Sequence, residues 1–189
     1  MRPRSGSVHT VVMPTAGSSD DRSALEPPSD VLRHLAATLA YRAAKVLRDA
    51  PPGFAFMTIG PSTRHPVQIV AHLADLMAWA VTFAQGEYVW KANGGDDWNV
   101  EVERFFDGLA SLDRQMAANP PSPDAVRKLI QGPLADALTH VGQLALLRGI
   151  AGAPVRPESY ARAEIVAGRV GPEQAPAVRE FEGDASAPR

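Results

Sequence analysis

Cysteine is absent from this chain. No disulfide can form, so nothing points to an oxidising compartment. The protein also has no thiolate of its own, so sulfur in any reaction it carries out must come from a small molecule. An excess of basic residues is missing as well: 19 Lys and Arg stand against 21 Asp and Glu, a formal net charge of −2. Phosphate recognition needs a concentrated basic surface, and nucleic acid is therefore not an expected partner. Long apolar runs are lacking. Polar residues interrupt every strongly apolar stretch within a few positions, and no membrane span is expected. Near the N-terminus only Val11, Val12 and Met13 form an apolar run, far short of the roughly 7–15 residues of a secretory signal. A cytoplasmic protein is the expectation.

What is present is ordinary globular material. Apolar residues make up 45% of the 189 positions, enough for one domain with its own core. Proline and glycine, 17 and 15 of them, are too numerous to sit inside helices and belong in loops and tails. Residues 1–27 read as a disordered tail, 28–155 as the folded domain, and 156–189 as an extension. In that extension a short packed helix is expected from about Glu158 to Val166, and a disordered tail from about Gly171.

Within the domain, apolar spacing predicts an all-α, four-helix bundle. The first helix runs from about Ser29 to Asp49, with Ser29 or Asp30 as cap, Val31, Leu35, Leu39, Val46 and Leu47 as its apolar face, and Pro51–Pro52–Gly53 as its stop. The loop that follows carries Phe54, Phe56, Met57 and Ile59 and should pack on the bundle. Pro66 fits the first position of the second helix, whose stripe is Ile69, Leu73, Leu76, Ala80 and Phe83, widened by Val70, Met77 and Trp79. The third runs from about Trp98 to Ala118 on Val102, Phe105, Phe106, Leu109 and Leu112. A short helix from Asp124 to Ile130, capped by Ser122 or Asp124, is cut off by Gly132–Pro133. The last helix, about Pro133 to Ile150, carries Leu134, Leu138, Leu144, Leu146 and Leu147. Several connections are long, so a simple up-and-down order is not required.

Three polar residues interrupt these apolar faces. His72 shares a face with Ile69, Leu76 and Trp79. Asp136 and His140, four apart, project from one side of the last helix. A carboxylate and an imidazole one turn apart can reach one ion, and a third ligand from a facing helix leaves positions open for water or substrate, as in catalytic metal sites. Gln143, one turn beyond His140, can orient a ligand. The plainer reading is a core histidine beside an i, i+4 ion pair without metal; spacing alone does not separate the two, although an unpaired charge on an apolar face would be costly.

Other residues carry weaker signals. His65 lies about 10 Å from His72 along a helix, too far to share the ion but able to line the site mouth. Trp79, Trp90 and Trp98 gather near one end of the second and third helices, with core packing as the default and Trp79 as a further candidate to contact a substrate. Arg64 and Arg148 can bind an anionic substrate, with surface solvation as the plainer role. His34 reads as a surface or packing residue, and His9 falls in the tail.

Two segments together resemble a known family. RHPVQIVAHLADLMAWA is similar to the second helix of the DinB/YfiT-like proteins, and DALTHVGQLALLRGIAGAPV, with its H-x-x-Q-L, resembles their last bundle helix. Order and separation also agree, and the resemblance spans about residues 29–155. It implies a four-helix bundle of other than simple up-and-down topology, commonly a homodimer, with zinc or nickel on three histidines. It also implies thiol-dependent transferase or isomerase activity with small thiols such as bacillithiol or mycothiol. His72 matches the family's second-helix histidine and His140 the second histidine of the last-helix pair, while Asp136 stands where the first of that pair belongs. A two-histidine, one-carboxylate set suits zinc or nickel, and also manganese or iron; loss of the metal is the other consequence of the change. The resulting expectation is a metal-dependent enzyme, such as a low-molecular-weight-thiol S-transferase or isomerase, acting on a small-molecule substrate. The alternative is a non-catalytic bundle binding a small ligand or a protein, with His72, Asp136 and His140 as a buried polar network.

Overall fold

The computed structural model describes residues 28–181. The expected tail at 1–27, His9 within it, and residues 182–189 lie outside the described residues. The fold is all-α: α1 (Pro28–Leu47), α2 (Pro66–Ala84), α3 (Trp98–Ala118), a short α4 (Pro123–Leu129) and α5 (Ala135–Ile150). Among the described residues there is no strand, only an isolated bridge between Glu158 and Glu180.

Local chemistry explains most boundaries. Pro66 opens α2, and the Gln68 side chain accepts a hydrogen bond from the His65 amide at 2.9 Å. Asp97 caps α3 by accepting from the amides of Asn99 and Val100. Ser122 caps α4 by accepting from Ala125. At α1 the helix already begins at Pro28, so Ser29 and Asp30 lie inside the first turn rather than before it. An acidic group there still favours the positive end of the helix dipole.

Each long helix packs against two others. α1 and α2 both contact α3 and α5, so the order around the core is α1, α3, α2, α5. Helices consecutive in sequence, α1 and α2, therefore lie across the core from each other, as the long 48–65 connection allows. α2 is the most thoroughly enclosed. It is long and apolar enough to cross a bilayer by length and composition, against the expectation that no segment is, and 61% of that stretch is buried inside the fold. Its polar interruptions are too few to lower its mean hydropathy, and packing against α3 and α5 is what its apolarity serves here.

The buried face of α1 differs from the expected one. Val31 is exposed, and Leu32, Ala36, Leu39, Ala43 and Val46 form the stripe. The expected face took Val31 in place of Leu32 and left out the alanines, whose small side chains let neighbouring helices approach closely. Leu146, assigned to the apolar face of the last helix, is 65% exposed. Phe54 is buried and stacks edge-on against Trp98 at 5.6 Å, while Phe56 and Ile59 of the same loop stay exposed.

Gly132 and Pro133 do not break the chain. α4 passes into α5 through a π turn at Ile130–Leu134 with Pro133 inside it. Proline brings no amide, and the wider turn reroutes the bonding: the Ala135 amide reaches the carbonyl of Ile130, five residues back.

The extension also departs from expectation. Only a single turn, Tyr160–Arg162, is helical. Glu158 is instead drawn inward, where the Tyr41 hydroxyl and the Lys45 ammonium donate to its two oxygens at 2.7 and 2.8 Å. The neighbouring backbone pairs with the segment expected to be a disordered tail: Ser159 donates to Arg179 and Phe181 to Pro157. Residues 171–181 are thereby folded back beside α1, with Val170 buried.

α3 approaches α2 closely at Gly108, where an added Cβ would lie 2.7 Å from Met77 Cβ. Gly108→Ala should lower the unfolding free energy by about 1–3 kcal/mol through overpacking. Gly142→Ala, where a Cβ meets nothing within 4 Å, should raise it by about 0.5–1 kcal/mol through helix propensity. Urea unfolding of the two variants checks the opposite signs.

Candidate metal centre

α2 and α5 bring His72, Asp136 and His140 together at the floor of a 560 Å³ cavity. His72 Nε2 lies 3.3 Å from Asp136 Oδ2, and His140 Nε2 lies 3.4 Å from Asp136 Oδ1. The imidazole rings meet edge to face, with centroids 4.9 Å apart. One potential ligand atom from each residue can be chosen so that all three lie within 4.8 Å of one another. The π turn contributes to this convergence. Each helical residue turns the chain by about 100°, so one residue added to a turn sets which face of α5 looks at α2.

The site is partly open rather than buried in the core. Side-chain exposure is 21% for His72, 45% for Asp136 and 13% for His140. That corrects the picture of a site inside the apolar core: Asp136 keeps contact with water, because full burial of a carboxylate would cost several kcal/mol.

Hydrogen bonding sets the imidazole faces. Gln143 Oε1 accepts from His140 Nδ1 at 2.7 Å. The proton of a neutral His140 therefore resides on Nδ1, and the Nε2 lone pair points to Asp136. Two acceptors set face to face at 3.4 Å repel unless a proton or a cation lies between them. Burial is the largest influence on His72 and pushes its pKa below the usual imidazole value; the charges of Arg64 and His140 act the same way, and the hydrogen bond with Asp136 opposes them. The net direction favours the neutral form of His72, which can donate a lone pair to an ion.

The donor set and spacing fit a divalent metal. A tetrahedral ion with bonds of about 2.1 Å places neighbouring donors about 3.4 Å apart, the separation of each histidine from its own nearest Asp136 oxygen, Oδ2 for His72 and Oδ1 for His140. Those separations are longer than the roughly 2.7–3.2 Å of an ordinary N–H···O bond.

The remaining expected site residues fall elsewhere. His65 turns away, its Nδ1 donating to the Met57 carbonyl at 3.2 Å, and it holds the loop before α2 rather than lining the cavity. Arg148 is buried and donates to the carbonyls of Val46, Arg48 and Ala153, capping the end of α1. It is a structural cation, and the cavity it lines is the one beside Tyr41, Lys45 and Glu158, not the one that holds His72. Trp79 is half-buried between Phe83 and Trp90, outside the cavity, and its Nε1 has no hydrogen-bond partner among the described residues. Trp90 is exposed at 43% and stands edge-on to His72 at 5.7 Å. Trp98 packs on Phe54, apart from that pair. Arg64 does line the cavity.

One cluster beside the site was not anticipated. Asp75, one turn past His72, is buried and accepts from the amides of Asn93 and Gly94 and from Arg104 Nη2 at 2.7 Å. Arg104 also pairs with buried Glu101, which accepts from the Gly95 amide. Gly94 fits because an added Cβ would sit 2.7 Å from Ala71 Cβ. Together these bonds hold the 87–97 loop, and hence Trp90, against α2 beside His72. The signal in the sequence was an aspartate on the most apolar helix, a residue type that is almost never buried unpaired.

Asp75→Ala should release this loop. Amide hydrogen exchange at residues 93–95 should accelerate, and unfolding free energy should fall by about 2–4 kcal/mol, because Arg104 and Glu101 lose a partly buried charge partner. Unchanged exchange at those amides would refute the clamp.

Comparison of the chain with protein-family models, with curated proteins and with solved structures finds no match.

Proposed function

We propose that this protein binds one divalent metal ion through His72, Asp136 and His140, and that it is a metal-dependent enzyme acting on a small thiol. The observation that carries the metal reading is the orientation of His140: its Nδ1–H donates to Gln143 Oε1, leaving the Nε2 lone pair 3.4 Å from a carboxylate oxygen. A cation between those groups turns a repulsion into two bonds. His72, kept neutral by burial, supplies the third donor from the facing helix. Zinc and nickel suit the two imidazoles best; the carboxylate also admits manganese or iron. The fold we propose is a bundle of the DinB/YfiT-like type, supported by the two segments resembling that family and by the non-sequential order of the helices around the core.

The thiol reading rests on the absence of cysteine and on that resemblance. A bound divalent ion would supply Lewis acidity, holding an external thiol in its thiolate form at neutral pH. The chain's own residues do the rest. Asp136 offsets one unit of the ion's charge, Gln143 fixes the His140 tautomer, and the 560 Å³ cavity has room for a small co-substrate above the donors.

A second reading has a specific observation behind it. The 3.3 and 3.4 Å separations also admit protonated imidazole on Asp136, which would make the trio a polar network in a ligand-binding bundle without metal.

Metal content separates the two. After reconstitution with zinc or nickel, the wild-type protein should hold about one equivalent, and His72→Ala and His140→Ala less than about a tenth. Chelator should lower the melting temperature of the wild type and leave that of His72→Ala unchanged. Wild-type content below about a tenth of an equivalent, with chelator-insensitive melting, would establish the polar network instead. For the reaction, a panel of small thiols is offered with an electrophilic acceptor; rates at background with every thiol would remove the transferase reading and leave the site.

A further inference from the structure

The cavity above the trio has two unlike parts. Ile59, Ile69, Leu146 and Leu147 are its apolar lining, and Arg64 and Thr63, from the segment before α2, line it as well. Ile59 and Leu146 are 47% and 65% exposed, large aliphatic surface left facing the cavity. Three other arginines of the fold are engaged: Arg33 with Asp113, Arg104 with Asp75 and Glu101, and Arg148 with three carbonyls. Arg64 has no ion-pair or hydrogen-bond partner among the described residues, and its charge is felt at His72.

On the metal-centre reading, we infer that Arg64 is the anchor for a small carboxylate-bearing ligand with a short apolar body, whose other end reaches the floor formed by His72, Asp136 and His140. The chemistry is complementary along one line. A guanidinium presents paired donors that match a carboxylate's two oxygens. The positive end of the α2 dipole lies two residues further on, at Pro66, and adds to the same field. Ile59 and Leu146, lining the same cavity, offer apolar contact that a short hydrocarbon chain would cover. A neutral ligand of the same length would keep the wall and the floor but leave the guanidinium unused. Arg64 is a specificity-determining residue in this scheme: it selects the anionic ligand over its neutral counterpart and takes no part in bonding at the floor.

The test uses 3-mercaptopropanoate and its methyl ester as probes on the full-length protein, wild type, Arg64→Gln and Arg64→Lys. Each is offered cobalt, whose uptake is followed by its visible absorption, and the two probes are then titrated by calorimetry. The wild type should bind the acid about tenfold more tightly than the ester, Arg64→Gln should bind both alike, and Arg64→Lys should retain part of the preference, since charge without the planar fork is a weaker match. Cobalt uptake should be equal in all three. Uptake of cobalt with no acid-over-ester preference in the wild type, or a preference that persists in Arg64→Gln, overturns the anchor and leaves the metal centre standing. An Arg64-dependent preference without cobalt uptake upholds the anchor and overturns the metal centre.

Discussion

The structure depends on burying α2. This helix is apolar on most of its circumference, and α3 and α5 close over it from two sides. Its sequence carries only two ionisable side chains, His72 and Asp75, and they are three positions apart. Neither can be left against hydrocarbon without a partner, and each is met by a different neighbour. α5 brings Asp136 and His140 to His72, while α3 brings Arg104 and the loop amides to Asp75. The candidate site and the loop clamp are thus two answers to the same constraint.

Much of this was legible in the sequence where the governing physics is local. Pro66 before an apolar run marked the start of α2, and the expected limits of α3, Trp98 to Ala118, are the observed ones. The convergence of His72 with the Asp136–His140 pair followed from helical spacing and from the cost of a polar group on an apolar face. What did not follow were the features decided by partners distant in sequence. Arg148 reads as a surface cation until the carbonyls at the end of α1 are placed around it. His65 reads as a site-mouth residue until the Met57 carbonyl turns its ring aside. Glu158 reads as the start of a helix until Tyr41 and Lys45 claim its carboxylate. In α1 the expected face began on Val31 instead of Leu32 and left out Ala36 and Ala43; alanine buries less area per residue than leucine, yet it sets how closely the other helices approach.

The extension after α5 shows the same logic on the opposite side of the fold. Lys45 is shared between Glu158 and Glu180, whose backbones are themselves bridged. That pins two passes of chain to one point on α1 and covers Tyr41, whose burial and hydrogen bond to Glu158 push its pKa well up. A segment rich in proline and glycine is thereby held without a helix or a sheet of its own. Its order comes from side chains on α1, and it keeps one flank of that helix dry.

The π turn between α4 and α5 carries a consequence for how such a site can change over time. Substitutions alter a pocket one side chain at a time, and each must be tolerated where it falls. A gain or loss of one residue at Ile130–Leu134 acts differently: it would rotate all of α5 by a fixed angle, exchanging the whole set of groups presented to α2 while every residue in the helix stayed the same. The turn is a point of adjustable phase in an otherwise rigid frame, and descendants of this chain could diverge in ligand sets through length there before any difference arose in composition.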